Sequence, residues 1–410
     1  MIKLYKGFSI RLIPTKEQES YFWKASHTAR FIYNWSLAER KRLYTEEGIS
    51  ETGYGMCKRL TALKKNPEYS WLNEVHNKVL KRAVLDCDEA YKRFFSGQSR
   101  FPRFHSRSHS TPSFFVESDI VTELTGSLET MTVSEKKKAK LRFNTAQNTA
   151  TLSGIGTVKL SKSASAYNLG YLTEHYIPIS NARVKFDGKY WYLTFSIEVP
   201  DRKQQLTDEV IGIDLGVKDT AICSNRSVYR NINKTNKNIR NLEKRKKRYQ
   251  RRIARKYRAN KQGNTFKKTK NIIKLEHKTR IIDRRLRNIR KTYNHQISRD
   301  IVNNKPRAIV MESLNIKGMM KNKHMSKRLQ NQNLYQLKEY IKYKAENQGT
   351  RFIEAPMTYK STQTCSNCGH VHKISLSNRL YTCPVCDLIL DRDLNASYNL
   401  RSYGQSLLSS

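Results

Sequence analysis

The chain has 410 residues, 78 Lys and Arg against 35 Asp and Glu, a formal charge of +43, and a hydrophobic fraction of 38%, which allows two or three domains at about 100–200 residues each. Positive excess spread through the whole chain repels a compact fold unless a polyanion neutralises it, so nucleic acid is the expected partner. No stretch approaches the roughly 20 apolar residues needed to cross a bilayer, so a helical membrane protein is excluded.

Residues 3–13 alternate as a strand, with Leu4, Phe8, Ile10 and Leu12 on or near one face, and Pro14 stops it. That pattern is unlike a signal peptide. Thr15 followed by Gln18 reads as a capping box opening a helix through Phe22, Ala25, Ala29, Ile32 and Trp35. Further helices are expected around Met56 to Leu63 and from about Trp71 to Phe95. Phe101-Pro-Arg-Phe104 then opens an irregular basic, aromatic segment. Residues 110–200 pattern as strands, with Asp187-Gly188 marking a hairpin. They suggest a β-barrel or twisted sheet completed by the first strand, with residues 15–95 as a helical insertion.

Val210 to Val217 is a short apolar run carrying Asp214, and a strand at Thr220 to Ser224 follows. Residues 237–300 hold 25 Lys and Arg against 4 acids, yet keep two helical apolar stripes broken at Gly263-Asn264. This reads as a basic helical hairpin over 237–304. Like charges at i,i+4 destabilise a helix, so its basic face is expected to bind phosphates, through Lys244, Arg245, Lys246, Lys247, Arg248, Arg251, Arg252, Arg284, Arg285 and Arg287. Another short strand, Arg307 to Leu314, carries Glu312. Leu334 to Gln348 reads as a helix, Arg351 to Ala355 as a strand, Asp391 to Leu400 as a last helix, and 403–410 as a frayed tail.

Cys365-Ser-Asn-Cys368 and Cys383-Pro-Val-Cys386 are two Cys-x-x-Cys knuckles, with Gly369 allowing a tight turn after the first. Four thiolates so spaced close a tetrahedral, structural zinc site, and His370 and His372 are surplus to it. The other cysteines, Cys57, Cys87 and Cys223, are scattered and expected to pack as apolar residues. This cysteine usage points to a reducing, cytosolic compartment.

Asp214, Glu312 and Asp393 each sit on a short strand or a helix start in a basic background. Singly they could be a turn residue, an arginine partner and a helix N-cap. Together they suit two-metal phosphodiester hydrolysis, which needs carboxylates converging on Mg²⁺ ions about 3.5–4 Å apart. The spacing fits an RNase H-like sheet, with Asp on the first strand, Glu on a later central strand and Asp on a late helix. Gly212 and Gly216 would let substrate backbone approach Asp214 closely.

With the motifs Ile-Gly-Ile-Asp214-Leu-Gly, Met311-Glu312-Ser-Leu-Asn-Ile-Lys-Gly-Met, Ser361-Thr-Gln-Thr-Cys-Ser-Asn-Cys-Gly and Leu390-Asp-Arg-Asp393-Leu-Asn-Ala, the chain resembles TnpB. That family comprises RNA-guided DNA endonucleases of insertion sequences and is related to the compact type V CRISPR effectors. Arg30-Phe-Ile-Tyr-Asn-Trp and Phe101-Pro-Arg-Phe add to the likeness, which spans almost the whole chain. The resemblance implies a RuvC-type triad at Asp214, Glu312 and Asp393, the last matching because it precedes x-Asn-Ala, as Asp391 does not. Ser313 departs from the Asp that often follows the Glu. The implied fold is multidomain α+β. It has a wedge β-barrel (1–14 and 106–202), a helical recognition insertion (15–105), a RuvC-like nuclease domain (203–364 and 387–402) and a zinc ribbon (365–386). The implied cofactors are two Mg²⁺ and a structural Zn²⁺. The implied partners are a guide RNA from the element's 3′ end and double-stranded target DNA cut beside a short motif, in a bacterial or archaeal, nucleoid-associated setting. Two alternatives are a nuclease-inactive RNA-guided repressor and an RNA-independent transposition accessory.

Overall fold

The computed structural model describes residues 4–107, 110–118, 141–144, 146–161, 179–199, 204–263, 265–313, 316–321, 323–375 and 378–409. The chain divides into two compact units, 1–200 and 201–410. The expected barrel segments 119–140 and 162–178 lie outside the described residues.

The first unit opens with strand β1 (Leu4–Ile13) and helix α1 (Lys16–Glu47). Thr15 and Gln18 form the expected capping box, each side chain bonding the other's backbone N–H. α1 runs twelve residues beyond Trp35. Arg42 links Glu39 and Glu46 along that extension, and Gly48 ends it in the left-handed region at φ 66°. α2 (Gly53–Leu63) follows, then α3 (Asn77–Phe95). The helix expected from Trp71 is interrupted: residues 67–74 form a 3-10 stretch led by Pro67, and Val75 is extended.

The strands β2 (Ser113–Phe115), β3 (Leu141–Asn144), β4 (Thr149–Leu152), β5 (Gly156–Leu160), β6 (Ile179–Phe186) and β7 (Trp191–Val199) complete a seven-stranded antiparallel sheet in the order β2-β6-β7-β1-β5-β4-β3. β1 is the pivot: residues 4–11 pair with β7, and Leu12 and Ile13 pair with β5. Among the described residues no ladder joins β2 to β3, so the described strands form an open sheet. The Asp187-Gly188 hairpin is present. Asp187 Oδ1 accepts from the backbone of Lys189 and Tyr190, and Gly188 takes φ 102°. Phe22 of α1 meets Phe114 and Trp191 at 5.6 and 5.2 Å between centroids, which joins the helices and the sheet in one apolar core.

The second unit is built on β8 (Val210–Asp214), β9 (Asp219–Cys223), β10 (Val228–Arg230), β13 (Ala308–Glu312) and β14 (Arg351–Ala355), in the order β10-β9-β8-β13-β14. The first three strands run antiparallel, while β13 lies parallel to both β8 and β14. A short helix α4 (Ile232–Thr235) leads into α5 (Lys237–Ala259). The two-residue strands β11 (261–262) and β12 (265–266) make the turn into α6 (Lys270–Asn303). After β13 come α7 (Ile316–Met319), α8 (Lys323–Gln332) and α9 (Leu334–Gln348). The small strands β15 (Leu380–Thr382) and β16 (Ile389–Asp391) pair beside the cysteines, and α10 (Arg392–Ser409) closes the unit. The tail expected to fray is therefore helical through Ser409. Tyr403 and Leu408 pack against the apolar cluster that Leu400 enters, which explains the continuation.

Period-two alternation sorts the central strands. Ile211, Ile213, Ile309 and Met311 enter a core with Ile297 and Ile301 of α6 and Leu337 and Ile341 of α9. Val210, Val310 and Ala308 point the other way, into a core with Leu400 of α10. β8 is buried along its whole length, as a strand covered on both faces must be.

Candidate functional site

By the same alternation Asp214 follows Val210 and Gly212, and Glu312 follows Ala308 and Val310, so both carboxylates belong to the face that α10 covers. β8 and β13 pair in parallel with Ile213 opposite Met311, so the two acids sit one step further at neighbouring strand ends. Asp393 lies in the first turn of α10 and is buried. Burial pushes the Asp214 carboxyl up to about 7, and the charges of Asp393 and Glu312 add to the shift. Burial likewise raises Glu312. Two strand ends and a helix start thus bring the three sequence-predicted acids into one electrostatic neighbourhood.

Asp391 is the helix cap: its Oδ1 accepts from the backbone N–H of Asp393 at 3.0 Å and of Leu394 at 3.2 Å. That frees the Asp393 carboxylate for other partners. Arg392 Nη2 donates to Asp393 Oδ1 at 3.0 Å, and Arg379 Nη1 donates to Oδ2 at 3.3 Å.

Gly212 serves a different purpose from the one expected. A Cβ placed there would lie 2.1 Å from the carbonyl oxygen of Ser397 and 2.5 Å from the amide nitrogen of Arg401. The close approach it permits is that of α10. Gly404 answers it from the helix side, where a Cβ would meet Val310 at 2.3 Å. These contacts set the depth at which α10 holds Asp393 against the strand ends.

Cys365, Cys368, Cys383 and Cys386 place their sulfurs within 4.8 Å of one another, the one such cluster among the described residues. Cys365–Cys386 and Cys368–Cys383 each stand 3.6 Å apart. A tetrahedral zinc with bonds of about 2.3 Å needs sulfur separations near 3.8 Å, so the four thiols fit that ion. The residue after each knuckle takes a left-handed conformation, Gly369 at φ 77° and Asp387 at φ 53°. Hydrogen bonds from the Asn367 side chain and the Leu388 backbone lower the Cys386 thiol, while the neighbouring cysteines and burial raise that of Cys368. His372 Nδ1 lies 3.4 Å from the Tyr381 hydroxyl and stands outside the cluster with His370. Cys87 and Cys223 are buried, and Cys57 packs half-buried against the core of the first unit.

The cysteine segment is fastened to α10. Asn395 Nδ2 donates to the Thr364 carbonyl at 2.7 Å, and its Oδ1 accepts from Ser366 N at 3.0 Å. Asn399 Nδ2 donates to the carbonyls of Ser361 and Thr364. Sequence reasoning passed over Arg379, Arg392, Asn395 and Asn399 as functional residues. Only the Asn-Ala step after Asp393 hinted at one of them.

On the basic hairpin, Ile239 and Leu242 of α5 pack on Ile282 and Leu286 of α6. Lys244, Arg245, Lys247, Arg248, Arg251 and Arg252 are exposed on α5, as are Arg285 and Arg287 on α6. Lys246 instead turns into the seam and bonds Asp283 at 2.5 Å. Arg284 is half-buried and lines a cavity of about 340 Å³ with Ile232, Ile289 and Tyr293.

Three family profiles match the chain: "Probable transposase" over residues 194–323, "Cas12f1-like, TNB domain" over 335–400, and "Helix-turn-helix domain" over 1–48. In the last span the structure has a strand and one uninterrupted helix. A protein of Escherichia coli (strain K12) named "Putative RNA-guided DNA endonuclease InsQ" is 24% identical over 426 residues, covering 100% of this chain and 94% of that one. A "Putative RNA-guided DNA endonuclease" of Streptomyces pristinaespiralis is 24% identical over 408 residues, with 98% and 90% covered. Among solved structures, a Cas12f1-sgRNA-target DNA complex aligns with a TM-score of 0.57 at 16% identity, over 97% of this chain and 99% of that one, and shares its fold.

Proposed function

The chain is a TnpB-like relative of the compact type V effectors, and from that premise we propose that it is an RNA-guided DNA endonuclease that cuts beside a short motif. The observation that carries this reading is the convergence of Asp214, Glu312 and Asp393 from β8, β13 and α10. These carboxylates are the groups that would hold two Mg²⁺. When bound, the ions would supply an activated water for in-line attack and stabilise the leaving oxygen. The residues around them set the conditions. Burial of Asp214 makes its ionisation unfavourable without a cation, so the site is built for positive charge. Arg379 and Arg392 orient Asp393, and the Asn395 and Asn399 bonds tie that orientation to the cysteine ribbon. In this reading the four thiols hold a structural zinc.

The remaining parts find roles in the same reading. The seven-stranded sheet with its helical insertion is the wedge and recognition part. The exposed cations of α5 and α6 bind the backbone of the guide RNA or the target duplex. The test is plasmid cleavage in Mg²⁺, with the protein copurified with RNA from its own gene's 3′ flank and reprogrammed to a target beside a randomised motif library. Cutting is expected to depend on the guide and to disappear in Asp214→Ala, while RNA and DNA binding persist. Normal cutting by that variant would remove the triad assignment. Guide-dependent binding without cutting by the parent would make the protein a repressor, and a preparation without RNA would point to a plain DNA-binding accessory.

A further inference from the structure

The aromatic motif that the acidic site leaves unused lies in the helical part of the first unit. The Phe101–Phe104 segment is pinned at Pro102, between its exposed rings, and at His105, just after them. Pro102 is buried. His105 stacks flat on Tyr33 with centroids 3.9 Å apart, and the Asn34 side chain bonds both the carbonyl and the amide of His105, at 2.9 and 2.7 Å. Beside these anchors Phe101 and Phe104 remain 41% and 53% exposed, and Phe95 at the end of α3 is 76% exposed. Phe101 stands edge-on to Tyr91 and Phe94, at 5.5 and 5.2 Å. Lys41 of α1 bridges the rings, its Nζ 5.1 Å from the Phe101 centroid and 5.2 Å from that of Phe104.

Arg93, Arg100 and Arg103 flank the rings along the chain, all exposed and without an ion-pair partner among the described residues. The neighbouring acid, Asp88, is already held by Arg40 at 2.8 Å and Lys92 at 2.9 Å. Rings held rigidly in water beside uncompensated cations match one ligand chemistry well. An unpaired base stacks on the ring while its phosphate meets the cation, and a duplex, whose base faces are covered, cannot do this. A protein partner would have to bury those cations unpaired, against the usual depletion of charge at interface cores.

We propose that Phe95, Phe101 and Phe104, with Lys41 and the flanking arginines, form a stacking platform for an unpaired strand of RNA or DNA. This rests on the nucleic-acid reading given above and assigns a surface to the single-stranded part of the partner.

The test uses the full chain and measures anisotropy of labelled oligouridine, oligothymidine and a duplex of equal length across a salt series. The parent is compared with Phe95→Leu, Phe101→Leu and Phe104→Leu, and with Phe104→Trp, which keeps a larger ring. Each leucine variant is expected to weaken single-strand binding roughly fivefold or more, without changing the salt slope or duplex affinity. The tryptophan variant is expected to bind like the parent. A preference of the loss for oligouridine or for oligothymidine would tell an RNA ligand from a DNA one. Unchanged single-strand affinity in the leucine variants would overturn the platform, and so would an equal loss on the duplex. Self-association of the parent that the leucine variants abolish would make the patch an interface between copies instead. A parent that binds neither single strand nor duplex would remove the nucleic-acid reading itself, a result separate from failure of the platform alone.

Discussion

At the scale of single residues, Asp214 shows how burial and like charge act together. Its carboxyl is pushed up to about 7, first by burial and then by Asp393 and Glu312, while in the unfolded chain it titrates near 3.9. Between those values the folded state binds more protons than the unfolded one, so this group's contribution makes stability fall as pH rises from about 4 to about 7. A rise of that size corresponds to at most about 4 kcal/mol. Asp214→Asn removes that penalty. Urea unfolding in EDTA should find the variant more stable than the parent at pH 8 and nearly equal to it at pH 4. Equal differences at both pH values would show that Asp214 is not a strained carboxylate. Asp214 and Glu312 stand out in the sequence as candidates, because a carboxylate inside a short apolar run is conspicuous, and Asp393 stands out at a helix start. Arg379 and Asn399 do not, because their partners are 14 and 38 residues away and no local pattern connects them.

At the scale of elements, α10 and the cysteine ribbon position Asp393. Gly212→Ala drives a methyl into the backbone of Ser397 and Arg401, which cannot move without shifting the helix. Overpacking of this kind costs about 1–3 kcal/mol. Thermal unfolding should show that loss, and Mg²⁺-dependent cleavage should fall further than stability alone explains. A variant as stable and active as the parent would mean that α10 yields freely. Cys365→Ser or Cys383→Ser removes one of four converging sulfurs. Metal analysis should find zinc content reduced, with lower stability, since a structural zinc provides folding energy to so small a core; full zinc stoichiometry would sink the four-thiolate site. Element existence was legible from periodicity and caps, as at Thr15 and Asp187. The break at Val75 and the continuation of α10 to Ser409 were missed, since packing decides them.

At the scale of the whole molecule, the positive charge has to be met by a partner. Replacing Lys244, Arg245, Lys247 and Arg248 by Ala removes four exposed cations from α5. For every phosphate that these side chains neutralise, the slope of log affinity against log salt should flatten by about 0.9 on a duplex. A slope unchanged from the parent would place the phosphate-binding surface elsewhere. Lys246 is the internal control, because its bond to Asp283 belongs to the hairpin seam, and its replacement should lower stability more than binding.

The sequence by itself determined the charge excess that calls for a polyanion, the two knuckle spacings and the capped helices, and it offered the three acids as candidates and a sheet-and-helix part ahead of the segment that carries them. Each of these is local chemistry: a charge ratio, a ligand spacing, a cap or a period. The tertiary structure alone decided which glycine admits a helix and which aspartate is the cap. It also decided which basic residues are spent inside the hairpin, and how the ribbon is tied to the helix bearing Asp393. These depend on which chain segments meet, and a close approach at Gly212 or a bond from Asn399 to Ser361 exists only once distant strands and helices have packed.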